Sequence, residues 1–106
     1  MLTPDDARRL QVFKQQLLRL TPVSRLAAYG SRARGSASPD SDFDLYVEVP
    51  ALTPALRRKI SELAWELSLA EDCVFSTFVT TSEAVVSGSA QALPLLRAVE
   101  REGIFA

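Results

Sequence analysis

The sequence has 106 residues, with 12 Lys and Arg against 13 Asp and Glu, and a formal net charge of −1. This length suits one domain, and 47% apolar with 24% charged residues is typical of a globular protein. A protein that grips a nucleic-acid backbone usually has a basic excess, so direct nucleic-acid binding is not expected. The absence of histidine excludes Ser-His-Asp and Cys-His nucleophiles, and a single cysteine excludes an internal disulfide.

The N-terminal segment, residues 1–10, is charged and helix-like and lacks the apolar core of a signal peptide. No apolar run approaches the roughly 20 residues that span a membrane. Cys73 lies within an apolar run and is predicted to be buried. These features predict a cytoplasmic protein with no membrane partner, folded as one domain over residues 1–106.

A helix, a strand and a long loop are predicted before residue 42. Thr3 and Pro4 are typical of a helix start. The apolar positions that follow at helical spacing are Leu10, Phe13, Leu17 and Leu20. Val23–Tyr29 is short and apolar-rich, which predicts a buried strand. Gly30–Ser41 has loop composition, in which Ser31 can cap a short helical turn.

The next segment, residues 42–49, alternates between apolar and polar residues and predicts a strand with two unlike faces. The apolar face consists of Phe43, Leu45, Val47 and Val49. The other face consists of Asp42, Asp44, Tyr46 and Glu48. We expect the apolar face to lie against the core, and Glu48 to be solvated or paired with an arginine.

The remaining elements complete a helix-strand alternation. They are a helix over residues 53–69, a strand over Cys73–Val79, a helix over Gln91–Glu102, and an edge strand or tucked tail over residues 104–106. We expect Trp65 to pack beside the apolar face of its helix, and Gly103 to stop the last one. The order α-β-β-α-β-α predicts an α/β (α+β) fold in which helices pack against one face of a small sheet.

One segment combines the parts of a phosphate site and a metal site: Gly30-Ser31, ten residues, then Asp42 and Asp44. Glycine after a buried strand lets a ligand approach the backbone, and amides at a helix start bind phosphates. The two aspartates project from the same face of a strand. A divalent cation shared between them relieves their mutual repulsion. Mg²⁺ is suited to this position because it prefers oxygen ligands.

Each part alone has a plainer interpretation. Gly30-Ser31 alone is more often a turn, the two aspartates can be a solvated strand face, and Arg32 and Arg34 can be ordinary surface arginines. A calcium-binding EF-hand is excluded because Leu45 and Ala51 stand where that loop needs glycine and glutamate. A Walker phosphate loop is excluded because no Gly-Lys-Ser/Thr follows the glycine.

Taken together, the parts resemble a known family. YGSRARGSASPDSDFDLYV, residues 29–47, resembles the signature of the minimal nucleotidyltransferase family within the polymerase-beta-like superfamily. The resemblance implies the polymerase-beta-like nucleotidyltransferase fold, with a small mixed sheet and flanking helices. It also implies that Asp42 and Asp44 are catalytic and bind Mg²⁺. It implies that ATP or another nucleoside triphosphate contacts the remaining signature residues, which are Gly30, Ser31, Arg32, Arg34 and Ser41.

The resemblance also implies a partner. Members of this family include antitoxins paired with a HEPN-type ribonuclease toxin, and some transfer AMP from ATP to a tyrosine of that toxin. We therefore expect nucleotidyl transfer to a hydroxyl on a HEPN-type partner.

The third carboxylate of catalytic members is missing from the strand CVFSTFV, where Ser76 or Thr77 occupies its expected place. The nearest acids in the sequence are Glu71, Asp72 and Glu83. The alternative is therefore a weak or inactive antitoxin that neutralises its partner by forming a complex.

Overall fold

A computed structural model describes residues 1–88 and 93–106. The elements within these residues are α1 (Pro4–Leu18), β1 (Arg25–Tyr29), α2 (Gly30–Arg34), β2 (Phe43–Val49), α3 (Pro54–Glu71), β3 (Phe75–Thr81), α4 (Ser82–Ser87), α5 (Leu93–Glu102) and β4 (Ile104–Phe105). None of the described helices is long and apolar enough to cross a membrane.

The strands form one mixed sheet in the order β3-β2-β1-β4. β1 is antiparallel to β2 and to β4, whereas β2 and β3 are parallel and joined by α3. This confirms the predicted small mixed sheet with flanking helices, and β4 confirms the predicted edge strand at residues 104–106. α3 extends two residues beyond its predicted end, β3 begins two residues later than predicted, and Gln91 lies outside the described residues.

The two long helices begin as their sequences predict. The Thr3 hydroxyl accepts a hydrogen bond from the Asp6 amide at 3.1 Å, and the Thr53 hydroxyl accepts one from the Leu56 amide at 3.0 Å. Each cap is followed by a proline in the first turn, where no amide donor is needed. These caps fix the ends of α1 and α3 against the same face of the sheet.

The larger core lies between the sheet and helices α1 and α3. Its strand side includes the whole predicted apolar face of β2, and its helix side includes Phe13, Leu17, Ile60 and Leu63. Cys73 is buried at its edge, as predicted. The alternation of apolar and polar residues in β2 therefore correctly predicts which face of the strand lies against the core.

The opposite face of β2 is only partly open. The prediction that helices pack against one face only is wrong, because α5 covers the far half of this second face. It forms a smaller core there from Ala27, Tyr46, Leu96 and Val99. Glu48 is 6% exposed, and its Oε1 accepts hydrogen bonds from the Tyr46 hydroxyl at 2.6 Å and from Arg25 Nε at 3.0 Å. The predicted arginine pairing of Glu48 is confirmed, but the carboxylate is buried rather than solvated.

Trp65 corrects one sequence expectation. It does not pack beside the apolar face of α3, because its side chain is 65% exposed. Ile60, Leu63, Ala64 and Leu67 supply the buried stripe of α3, and Trp65 lies to one side of that stripe, on the flank towards β3. Trp65 is therefore a surface residue.

Candidate active site

The site begins where β1 passes into α2. Tyr29, the last residue of β1, pairs with Asp44 near the start of β2, so Gly30 lies beside the Asp44 carboxylate. Gly30 has a φ of 77°, and a β-carbon there would overlap Asp44 Oδ2. Only glycine combines this left-handed backbone with such a close approach. The sequence thus brings one predicted metal ligand against the first turn of the predicted phosphate-binding helix.

The two aspartates stand next to each other without a cationic partner. Asp42 is exposed and immediately precedes β2, whereas Asp44 is partly buried on the strand. Burial raises the pKa of the Asp44 carboxyl, the charge of Asp42 raises it further, and Arg34 partly offsets both effects. Neither aspartate joins an ion pair within residues 1–88 and 93–106. A pair of repelling, unpaired carboxylates is a donor set that fits Mg²⁺.

The two arginines of α2 have different environments. Arg34 is half-exposed, and its Nη1 lies 3.1 Å from both carboxylate oxygens of Glu102. Ser31 lies in the first turn of the same helix and is partly buried. Arg34 therefore sits at the open side of the site, within reach of a ligand at the start of α2.

Arg32 is instead enclosed and holds the loop that precedes Asp42. Its Nη1 lies 3.1 Å from Asp6 Oδ1, in a pair whose side chains are only 9% and 3% exposed. Its Nε and Nη2 donate to the Ser41 carbonyl at 3.0 and 2.7 Å. The Ser41 hydroxyl accepts from the Ser38 amide at 3.0 Å. Nucleotide contact by Arg32 and Ser41 stays a prediction, while their observed contacts tie the loop to α1.

Glu102 was missed by sequence reasoning. Its Oε1 lies 3.4 Å from the Gly30 amide nitrogen, and both of its oxygens contact Arg34. The pairing of β4 with β1 places the end of α5 beside Gly30. The motif carries no signal for this acid, because 72 positions separate it from Gly30; only the prediction of an edge strand at residues 104–106 pointed to this neighbourhood.

The place of the third carboxylate is taken by a serine. Ser76 is the register partner of Asp44 across the parallel β2–β3 pair, and it is exposed on the same face. Thr77 lies on the opposite face, where it lines a groove with residues of α3. The described residues contain no group of three acidic, histidine or cysteine side chains that would hold a metal.

The acidic residues nearest to β3 in the sequence do not lie opposite Asp44. Glu71 forms ion pairs with Arg8 and Arg9, at 2.7 and 3.1 Å. Asp72 is exposed and ends α3 in a left-handed conformation, with a φ of 50°. Glu83 follows the far end of β3, whereas Asp44 and Ser76 lie near the starts of their strands. None of the three stands at the register position opposite Asp44.

Comparisons with known proteins agree with the fold. A family model described as a nucleotidyltransferase domain matches residues 10–90. A crystal structure of a toxin-antitoxin with AMP-PNP is similar with a TM-score of 0.61 and 24% identity, over 90% of this chain and 70% of that chain. A crystal structure of a mutant of the toxin-antitoxin MntA-HpeT is similar with a TM-score of 0.59 and 22% identity, over 92% of this chain and 70% of that chain. No curated protein gives a significant match to the sequence.

Proposed function

Because the chain belongs to the nucleotidyltransferase domain family, we propose that it binds Mg-ATP and transfers AMP to a hydroxyl on a HEPN-type toxin. The observation that carries this proposal is the close approach of the Asp44 carboxylate to Gly30 at the start of α2, which leaves no room for a β-carbon there. It joins the metal-binding carboxylate to the phosphate-binding turn, as nucleotidyl transfer requires. A cytoplasmic location fits such a substrate.

The triphosphate is bound by the first turn of α2 in this proposal. The amides of Gly30 and Ser31 and the Ser31 hydroxyl donate to phosphate oxygens. Arg34 turns from Glu102 towards the phosphates, whose greater charge competes for the guanidinium. Arg32 and Ser41 support the nucleotide from the loop that they hold in place.

Asp42 and Asp44 hold Mg²⁺, which when bound supplies charge stabilisation at the transferred phosphoryl group. The acceptor oxygen forms a bond to the α-phosphorus, the bond from that phosphorus to the α–β bridging oxygen breaks, and pyrophosphate leaves. The proton of the acceptor hydroxyl passes to a base. Since β3 offers Ser76 opposite Asp44, we assign that base to the partner protein.

A protein acceptor is favoured by two observations. The net charge of −1 gives no general attraction to nucleic acid. Two solved structures with a similar fold are described as toxin-antitoxin proteins, and one of them is described with AMP-PNP. These similarities support a toxin partner and an adenine nucleotide for this chain.

A second candidate function rests on Ser76. A chain without an acid at that register position is suited to neutralising its toxin by forming a complex, with a nucleotide site of low activity. The two functions differ in their dependence on Asp44. An occluding antitoxin tolerates Asp44→Asn, whereas a transferase loses both AMP transfer and neutralisation.

Calorimetric titration with ATP, with and without Mg²⁺, tests the nucleotide site. We expect binding that requires Mg²⁺, is lost in Asp44→Asn, and persists in Asp40→Asn, a matched change in the loop that precedes the Asp-x-Asp pair. Transfer is then measured with labelled ATP and a HEPN toxin. Binding without magnesium, or an unaffected Asp44→Asn variant, would overturn the proposed site.

A further inference from the structure

The outer edge of β3 has no strand partner among the described residues. β3 is seven residues long and pairs with β2 alone, at the end of the sheet. Such an edge presents unpaired amides and carbonyls, and natural proteins usually shorten, charge or cover it. β3 contains no charged residue and no proline, so its sequence does not protect it against pairing.

Exposed apolar side chains lie beside this edge. Trp65 is 65% exposed, Leu69 is 67% exposed and Val74 is 56% exposed. Trp65 and Val74 both line the groove between α3 and β3, together with Thr77. We call these three apolar residues the Trp65 patch. A contiguous patch next to an open strand edge marks an interaction surface.

Two exposed charges of opposite sign, Arg58 and Asp72, lie on either side of Trp65 along the chain. Arg58 lies seven positions before Trp65, two helical turns earlier on the same face of α3. Asp72, the residue that ends α3, lines a groove together with Trp65, Leu69 and Val74. Both charged residues are exposed, and neither joins an ion pair in the described part of the chain. An antiparallel copy of α3 crossing at Trp65 would set Arg58 of one copy against Asp72 of the other, twice.

We propose that the occupant of this surface is a second copy of the chain, in a two-fold dimer. The β3 edges pair antiparallel, the two α3 helices lie antiparallel, and the two copies of Trp65 meet at the axis. A single two-fold rotation thus pairs the strand edges, covers the Trp65 patch and brings opposite charges together, as an isologous contact requires. This inference does not depend on the proposed function.

The dimer leaves the Asp44 face of each sheet open, while the loop with Ser41 borders the interface. Asp44 and Ser76 lie on the face of the sheet opposite to Thr77 and α3. A two-fold axis that pairs the β3 edges runs perpendicular to the sheet, so like faces stay together. Both sites would therefore face the same side of one continuous sheet, away from the α3 pair.

The dimer is tested on the purified chain by sedimentation velocity over a concentration series, with tryptophan emission recorded in parallel. Trp65 is the single tryptophan, so its emission reports on this surface alone. We expect dimerisation to be accompanied by a blue shift and by weaker quenching by iodide. A chain that stays monomeric at millimolar concentration, or a dimer in which Trp65 remains fully quenchable, would overturn the proposal.

Variants locate the contact. Trp65→Ala should lower dimer affinity at least tenfold, whereas Val86→Ala, at an 87% exposed position in α4, should leave it unchanged. Arg58→Gln and Asp72→Asn should each weaken the dimer, and their effects should be less than additive if the two residues pair across the axis. Arg57→Gln is the neighbouring control. Equal effects of Arg57 and Arg58, or strict additivity with Asp72, would contradict the proposed register.

Discussion

The two ends of β2 carry the same kind of residue in opposite situations. Near its end, the Glu48 carboxylate is buried with Arg25 and the Tyr46 hydroxyl as partners. At its start, Asp44 has a repelling neighbour in Asp42 and no ion-pair partner among the described residues. An acid with built-in partners contributes to stability, and an acid without them is available to an external cation. The same alternating pattern in the sequence therefore carries two different tasks.

The largest expected loss of stability comes from a partnered acid next to the site. Asp6→Asn leaves the enclosed Arg32 without its counter-charge, and breaking a buried pair costs about 3–5 kcal/mol. The loop before Asp42 should loosen, so Mg²⁺-dependent ATP binding should also weaken. Chemical denaturation and calorimetry measure the two effects. Asp5→Asn, at the exposed neighbouring position, is the control; a comparable loss there would remove the special role of Asp6.

Glu48→Ala should destabilise the other end of β2 by about 2 kcal/mol, because the buried Tyr46 hydroxyl loses its acceptor. Arg25 keeps its contact with Glu100 at 2.7 Å, which limits the loss. Glu48→Gln should recover part of the stability by restoring a neutral acceptor. ATP binding should be unchanged in both variants. A loss of nucleotide affinity would show that the two ends of β2 are coupled.

Gly30→Ala should cost about 1–2 kcal/mol from its left-handed backbone and should also displace Asp44. Gly88→Ala is a close control, because its φ is 71° and a β-carbon there meets no atom within 4 Å. Both variants should lower the melting temperature, but only Gly30→Ala should abolish ATP binding. If both retain binding, the contact of Gly30 with Asp44 is not needed for the site.

Asp44→Asn should have the smallest effect on stability, near zero or slightly stabilising in the absence of metal. Burial and Asp42 both raise the pKa of the Asp44 carboxyl, so the folded protein disfavours its ionised form. That penalty grows as pH rises through the range in which Asp44 ionises, and the amide does not experience it. Melting temperatures at neutral pH without metal measure the difference. A large fall in Asp44→Asn would mean that the carboxylate is a structural group.

The parts of the molecule that follow local rules were predictable from the sequence. Helix starts at Thr3 and Thr53 depend on neighbouring residues, and the inward face of β2 follows from its alternation. The same helical spacing also predicts that Trp65 is exposed, so the expectation that it packs was a wrong interpretation of the pattern. Local composition at Gly30 predicted a turn, and the close approach that requires glycine became visible only with the register of β1 and β2.

The contacts that depend on long-range packing were not predictable in the same way. The enclosure of Arg32 requires α1 to lie against the loop before Asp42, and no spacing in the sequence encodes the Asp6–Arg32 pair. The arrival of Glu102 at Gly30 requires β4 to join the sheet beside β1. The motif gave the chemistry of the site, but the residues that surround it come from elements far away in the chain.

The pairing of β4 with β1 also bears on the order of folding. Contacts between residues 72 positions apart close a long loop, and that entropy is lost before the contact provides its stabilisation. Docking of α5 and β4 is therefore expected to follow formation of the β1–β2 hairpin and the β2–α3–β3 unit. Before that docking, the Gly30 amide lacks Glu102 and Arg34 lacks its counter-charge. The segment that forms α2 is therefore more electropositive before α5 and β4 dock than in the folded chain.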